Sequence, residues 1–474
     1  MDWRIARRFK IRLKSHAGEG LASEAEACLV DRKVSLNRQL LDLAWPSLVE
    51  NLLQTMLGVV DLMMVGRLGP DAIAGVGLAT QVMNVLLVTF MGLSVGNTAL
   101  VARFVGAQRK DQAQWVAKQS LVLGGAVSIV VAAFGFLFSK EVISLMGGSP
   151  QVSEQGGSFL RIISTFSLVM ALGLIASGTL RGSGDTRTPM LVTGFINFVN
   201  IGLDYVLIFG KFGFPALGVR GSAIATTSAR AIGAAMLLYV LFKRGSVLKL
   251  SWFGSWRPQR DMLGKLLKIG GPAALEQLTF SLGMTAFSIM VVSLGTAELA
   301  AQQIAFNAAS ISIMPAFAFG VAATTLVGQN LGARSPRRAE ESALQALRSG
   351  LVWMSTMGLL IILFRRQLVG LYSQDPDVLR LGAMCLTFIG LAQPLQAMAI
   401  ILGSALRGAG DTRGAMMVTV AGVWGLRLPV GWLLGLALGL GLFGVWLGWA
   451  ADFICRATFM TLRYRSGKWK EIKV

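Results

Sequence analysis

Apolar segments long enough to cross a membrane recur along almost the whole chain, and this feature limits the fold more than any other. A helix of about 20 residues, rising 1.5 Å per residue, crosses the hydrocarbon of a bilayer. The run 121–138 and the run 351–364 with its flanks have this character. Only 14% of the residues are charged, whereas an average soluble protein has about 25%. We therefore predict an all-α polytopic membrane protein.

The apolar segments divide into about twelve transmembrane helices. We expect them at 41–66, 73–102, 115–138, 158–180, 189–210, 218–243, 264–293, 298–328, 344–365, 378–405, 415–436 and 440–462. Pro315 and Pro394 fall inside the eighth and tenth spans, where a proline removes a backbone donor. We expect both to kink their helices.

Lysine and arginine set the expected orientation. They concentrate in the tail 1–40, in alternate loops and in the tail 463–474, while Arg365, Arg366 and Arg380 are exceptions on the opposite side. Positive loops stay in the cytoplasm, so both termini are expected there, with the protein in the bacterial inner (plasma) membrane. The tail 1–40 lacks the apolar region of a secretory signal and is interpreted as a cytoplasmic tail, with a short amphipathic surface helix as the alternative.

The chain lacks the residue patterns of an enzyme or a nucleic-acid binder. Its net charge of +20 resides in short loops between apolar spans, so the basic balance does not indicate a nucleic-acid partner. The three cysteines are scattered without a CxxC spacing, and the single histidine, His16, lies in the tail. No nucleophile triad, phosphate loop or metal-ligand cluster is present in the sequence. We expect no enzymatic activity and no cofactor.

One short element shows that the chain is a duplication. "LRGSGDTR" at 180–187 returns as "LRGAGDTR" at 406–413. The shift between the two copies, which we call the repeat offset, also matches Pro46 with Pro272 and Glu50 with Glu276. Glycine and aspartate in such an element favour a turn followed by a capped helix. We interpret the element as a structural turn and not as a ligand site.

The duplication predicts two six-helix lobes. Because each half holds an even number of spans, the halves run in the same sense, as parallel repeats around a central cavity. The expected divisions are an N-lobe at 41–243, a cytoplasmic linker at 244–263 with Trp252 and Trp256, and a C-lobe at 264–462.

Two acids lie at matching depth inside the N-lobe. Asp61 comes five residues before the expected end of the first span, and Asp204 comes six before the end of the fifth. Both spans run outward, so both carboxylates should lie about 8 Å below the outer surface. Asn200 is one turn before Asp204 and shares its face. The alternative is a pair of hydrated acids near the outer surface.

A hydroxyl from the sixth span should reach the same depth. Thr226 lies about two turns into that span, and Ser222 and Thr227 are close alternatives. Carboxylates, an amide and a hydroxyl suit a hard cation. They also suit a proton, because burial and like charge favour protonation of one acid in such a pair. We expect Na⁺ or H⁺ at this site.

The motifs together resemble the MATE (multidrug and toxic compound extrusion) transporters. The matching stretches are "PSLVENLLQTMLGVVDLMMVGRLG", "GTLRGSGDTRTPM", "MPAFAFGVAATTLVGQNLGA" and "SALRGAGDTRGAM", and they spread over both halves. The resemblance implies twelve helices, two lobes, a central cavity, and export of organic cations against an inward flow of Na⁺ or H⁺. DinF-like members have acids in spans 1 and 5 with an Asn before the latter, which implies a coupling site at Asp61, Asn200, Asp204 and Thr226.

Other side chains are candidates for lining the cavity. Glu276 resembles the acid in span 7 of NorM-like members, but span 10 of this chain lacks an acid to accompany it. The alternative for Glu50 and Glu276 is that each forms a hydrogen bond between two helices of its own lobe. Asp452 is expected to form an ion pair with Arg456, one turn later. The cavity candidates are Glu50, Gln54, Met56, Glu276, Phe280 and Met284.

The sequence thus favours a monomeric secondary antiporter that works in the lipid bilayer on small organic cations or drugs. A flippase for lipid-linked oligosaccharides is one alternative, and it would need a strongly basic cavity, for which Arg427 is the visible candidate. A receptor or scaffold that does not transport is another, and it would not need buried acids at matched depth.

Overall fold

The computed structural model describes residues 36–243, 248–251 and 256–472. The N-terminal tail as far as residue 35, including His16, and Trp252 of the linker lie outside the described residues. The N-terminal half contains α1 Leu36–Gly66, α2 Pro70–Gly106, α3 Lys110–Leu145, α4 Pro150–Thr165, α5 Ser167–Ser183, α6 Arg187–Phe209 and α7 Val219–Phe242. The C-terminal half contains α8 Arg260–Val292, α9 Thr296–Gly332, α10 Pro336–Leu363, α11 Arg365–Gly370, α12 Pro376–Gly408, α13 Thr412–Gly422, α14 Leu428–Trp432 and α15 Gly441–Arg465.

These helices confirm an all-α polytopic membrane protein. Within the described residues, ten helices are long and apolar enough to cross a membrane, or eleven when the bent pair α4–α5 is counted as one span. Helix α15 has the length of a further span and buries two charged side chains, Asp452 and Arg456.

The fourth span is broken, which the apolar pattern did not predict. Helices α4 and α5 meet at Phe166 with a bend of 54°. Just before the bend, Ser164 donates to the carbonyl of Leu160, and Thr165 Oγ1 donates to the carbonyl of Arg161 at 2.6 Å. Hydroxyls bonded to the preceding turn bend helices. Just after it, Ser167 Oγ donates to the carbonyl of Ser128 in α3 at 3.0 Å and holds the new direction.

The eleventh span also departs from a regular helix. Two π-helical stretches, Val423–Arg427 and Leu433–Ala437, flank α14. Each widened turn changes the face on which the following side chains lie, and such stretches occur often at functional sites. Helices α9 and α12, in contrast, continue through Pro315 and Pro394.

The two halves repeat each other in detail. Helices α2 and α9 begin and end at positions that the repeat offset relates. Thr98 Oγ1 donates to the carbonyl of Gly178 at 3.0 Å, and Thr324 Oγ1 donates to that of Ser404 at 2.9 Å. The equivalence therefore extends to individual hydrogen bonds.

The halves approach each other closely on one side of the bundle. We call the side where α1 begins and α15 ends the terminal side, and the opposite one the distal side. At mid-depth α2 crosses α8, where a Cβ on Gly92 would lie 2.7 Å from the carbonyl oxygen of Gly270. On the terminal side the start of α1, with Leu40 and Leu43, packs against α9 and α10 of the other half.

Candidate cation site and buried ion pairs

The two acids of the N-terminal half meet, as their depth predicts. Helices α1 and α6 pack side by side and bring Asp61 and Asp204 within hydrogen-bonding distance of each other. Asp204 is fully buried, and its Oδ1 has no hydrogen-bond donor among the described residues. Like charges at this distance repel each other, so a proton or a cation beside the two carboxylates would stabilise the pair.

Asn200 joins the two acids. In the amide orientation that satisfies its neighbours, Nδ2 donates to Asp61 Oδ1 at 2.9 Å and to Asp204 Oδ2 at 3.2 Å. Its Oδ1 accepts from the backbone N–H of Thr226 at 3.2 Å. In this orientation the amide presents its donor to the carboxylates. To ligate a metal ion there, it would have to rotate and present its oxygen instead.

One buried face of α6 positions these groups. Asn197, Asn200 and Asp204 lie three and four residues apart, and all three are buried. Asn197 Nδ2 donates to the carbonyl of Leu53 in α1 at 2.7 Å. This bond fixes α6 against α1 below the site, so the register of the two carboxylates follows from it.

Helix α7 completes the site, but not through the Thr226 hydroxyl that the sequence favoured. Thr226 reaches Asn200 through its backbone N–H. The side chain of Ser222 lies beside Asp204, while Thr227 Oγ1 donates to the carbonyl of Ala223 within its own helix. Sequence reasoning did not identify Arg230, whose positive charge acts on Asp61. The sequence feature that could have identified Arg230 is its position inside an apolar span, one turn after Thr226.

The repeat-related glutamates form repeat-related ion pairs. Glu50 pairs with Arg181 at 2.5 Å, and Glu276 pairs with Arg407 at 3.0 Å. Glu276 also accepts from Thr419 Oγ1 at 3.0 Å. Both arginines belong to the duplicated eight-residue element, so each pair links the first helix of a half to that element. This is the hydrogen-bonding role that the sequence left as the alternative to lining the cavity.

Asp452 forms its expected ion pair with Arg456 and a second one with Arg427. Arg456 Nε lies 2.8 Å from Asp452 Oδ1, and Arg427 Nη2 donates to Asp452 Oδ2. Arg427 and Asp452 are fully buried. Phe287 and Val430 stand where the repeat would place equivalents of Asp61 and Asp204, so the C-terminal half has arginines around a single acid where the other half has an acid pair.

Two of the cavity candidates cover this cluster. Met284 Sδ accepts from Arg427 Nη1 at 2.9 Å, and the Phe280 ring lies 5.7 Å from the Arg427 guanidinium carbon. Gln54 and Met56 of α1 are exposed, Met56 to 63%. Each arginine of these ion pairs contacts an acid, and Arg427 and Arg456 share Asp452.

A duplicated bundle of membrane-spanning helices with a buried acid pair in one half is an integral membrane protein of parallel repeats, an architecture typical of transporters. The sequence profile of the MatE family matches residues 46–206 and 272–433. The chain belongs to the MATE family of transporters. Both matched segments begin at the prolines that the repeat offset pairs, Pro46 and Pro272.

Relatives match over nearly the whole chain. The "Probable multidrug resistance protein NorM" of Thermotoga maritima is 35% identical over 440 residues, which are 92% of this chain and 94% of the relative. The "Uncharacterized transporter YisQ" of Bacillus subtilis is 30% identical over 91% of this chain and 94% of its own length. The "Multidrug resistance protein PmpM" of Pseudomonas aeruginosa is 31% identical over 84% of each chain.

A solved structure shares the fold. The structure described as the "Outward-facing conformation of a multidrug resistance MATE family transporter of the MOP superfamily" superposes with a TM-score of 0.84. It covers 93% of this chain and 98% of that one, at 23% identity. At this identity the likeness concerns the fold alone.

Proposed function

We propose that this protein is a secondary antiporter that exports organic cations or drugs in exchange for Na⁺ or H⁺. The observation that carries the proposal is the meeting of Asp61 and Asp204 around Asn200, in a half whose repeat counterpart lacks the acid pair. The names of the relatives in Thermotoga maritima and Pseudomonas aeruginosa support drugs as the cargo. The orientation with both termini in the cytoplasm, the central cavity and a monomeric state belong to the same proposal.

Coupling follows from where the acid pair lies. Asp61 is on α1, which also carries Glu50, Gln54 and Met56, while Asp204 is on α6. A cation that neutralises the pair removes the repulsion between them, and α1 and α6 then repack. The ion shifts the balance between outward- and inward-facing states only through its different affinity for the two.

Both coupling ions are compatible with these residues, and they make different demands on Asn200. A proton shared by the carboxylates leaves the amide donor directed at them, in the orientation that satisfies its hydrogen bonds. Na⁺ would take oxygen ligands from Asp61, Asp204 and the rotated amide.

The test is transport by Asp204→Asn in inverted vesicles. Dye export is measured under a Na⁺ gradient alone and under a pH gradient alone, so that the two arms identify the ion. Asp204→Asn should abolish export under the gradient that drives the wild type, because one member of the acid pair is lost. Unchanged transport by this variant would refute the proposal.

A matched control separates coupling from general damage. Asp71→Asn makes the same chemical change at an exposed acid on the distal side of the same half, and it should transport normally. Circular dichroism and elution as a single species establish that both variants fold. A flippase would instead show no dye export in either arm, and so would a receptor.

A further inference from the structure

On the terminal side, each half donates hydrogen bonds to the duplicated element of the other half. Arg103 Nη1 of α2 donates to the carbonyl of Ala409 at 3.3 Å. Gln329 Nε2 of α9 donates to the carbonyl of Gly182 at 3.0 Å. The repeat offset relates position 103 to position 329, so these two donors occupy equivalent positions and reach across in opposite directions.

The backbones are in contact where these bonds form. A Cβ added to Gly106 would overlap the carbonyl oxygen of Gln329, and a Cβ added to Gly332 would overlap that of Arg103. Gly106 and Gly332 are also repeat-related. A third hydrogen bond runs from Thr325 Oγ1 to the carbonyl of Arg181 at 3.1 Å. It has no repeat-related partner, because the counterpart of Thr325 is an alanine, at position 99.

The accepting turns are rigid and tied to the ion pairs. In each of them a left-handed glycine, Gly184 with φ 95° or Gly410 with φ 89°, ends the helix. The N–H groups of the aspartates that follow, at positions 185 and 411, donate back to the carbonyls of Leu180 and Leu406 at 2.9 and 2.8 Å. This arrangement satisfies the end of a helix and fixes the remaining carbonyls in place.

The turns also hold the glutamates of α1 and α8. The side chain of Arg181 pairs with Glu50, while its carbonyl accepts from Thr325 of the other half. Side-chain and main-chain groups of one turn therefore connect the interior of its own half to the opposite half.

We propose that Arg103, Gln329 and Thr325 form a reciprocal latch that holds the terminal side shut and that must open when the transporter changes face. The inference rests on alternating access as the transport mechanism. Its three donors are positioning residues: they fix the two halves relative to each other and are placed outside the coupling site. Each broken bond should increase the ratio of open to closed populations on the terminal side about fivefold, the factor that a hydrogen bond of ordinary net strength represents.

The test measures the separation of the halves directly. Spin labels are placed at Lys110 and Arg337, exposed residues at the starts of α3 and α10, in a full-length background from which the native cysteines have been removed. Distance distributions are recorded in detergent without an ion gradient. The combination Arg103→Ala with Gln329→Ala should enlarge the fraction at longer separation, and should raise the ratio of long to short separations about 25-fold relative to the labelled parent protein. Gly106→Ala should also enlarge that fraction, by forcing the backbones apart.

Two controls make the result specific. Gly77→Ala lies in α2 with no atom within 4 Å of the new Cβ, and it should leave the distribution unchanged. Arg103→Lys keeps a cationic donor and should retain most of the short distance. Distributions that match the parent protein in both the double variant and Gly106→Ala would overturn the latch. Because no gradient is present, this result is independent of whether Asp204→Asn transports.

Discussion

Replacing Asp452 with Asn should destabilise the C-terminal half more than any other single exchange of an acid for its amide. Asp452 is fully buried and accepts hydrogen bonds from Arg427 and Arg456. The substitution leaves the buried guanidinium of Arg427 without a compensating charge. Removing one partner of a buried pair typically costs about 3–5 kcal/mol, which is a factor of roughly 150 to 4,000 in the folded-to-unfolded ratio.

The measurement is the free energy of unfolding in mixed micelles, with the apparent melting temperature in detergent as a second readout. Asp377→Asn is the matched control, because its pair with Arg380 at 3.9 Å is exposed on both sides. Such exposed pairs contribute about 0–1 kcal/mol, and the control should melt within experimental error of the wild type.

A double variant tests the physical reason. Arg427→Met combined with Asp452→Asn removes the fully buried guanidinium and leaves only that of Arg456 without its acid, so it should recover at least half of the loss. An Asp452→Asn protein as stable as the wild type would contradict the argument. A double variant as unstable as the sum of its two single changes would contradict it as well.

Three further outcomes follow from the packing. Glu276→Gln should lower the free energy of unfolding by about 1–3 kcal/mol more than Glu50→Gln does, because Glu276 accepts hydrogen bonds from two side chains and Glu50 from one. Denaturant titration that gives the same loss of unfolding free energy for both variants would contradict this difference. Asn197→Ala should cost about 1–3 kcal/mol and reduce ion-coupled export, since it unties α6 from α1; vesicle transport unaffected by the change would argue against that role. Gly75→Ala should lower the melting temperature by several degrees, because the new Cβ would lie 2.9 Å from the backbone nitrogen of Gly156 in α4. A melting curve unchanged from the wild type would show that the contact between α2 and α4 relaxes to accept the methyl group.

The sequence predicts which side chains share a level of the bundle, but it predicts their neighbours on other helices poorly. Counting residues from the helix ends placed Asp61 and Asp204 at one level, and the one-turn spacing placed Asn200 on the same face. The order of helices around the bundle, which brings Arg230 of α7 beside Asp61, does not follow from hydropathy. Depth depends on distance along one helix, whereas contact depends on which faces of several helices are turned to each other.

The duplicated element shows the same limit. Its glycines predict a turn, and a turn forms at both copies. The turn prediction does not include the side chains of Arg181 and Arg407, each of which bonds a glutamate of its own half. The two residues of each ion pair are 131 positions apart in both halves. The duplication explains this equal separation, but the separation does not itself indicate that the residues are in contact. The π-helical stretches were also missed, because they depend on hydrogen-bond register and not on apolar period.

The acceptors in both duplicated turns are main-chain carbonyls, and this has a consequence for how such a protein can diverge after gene duplication. Substitutions inside the eight-residue element can alter charge and side-chain pairing, but they leave those oxygens where they are as long as the glycine conformation survives. The two copies were therefore free to acquire different donors, a cation in one case and a neutral amide in the other, without redesigning the surface that receives them.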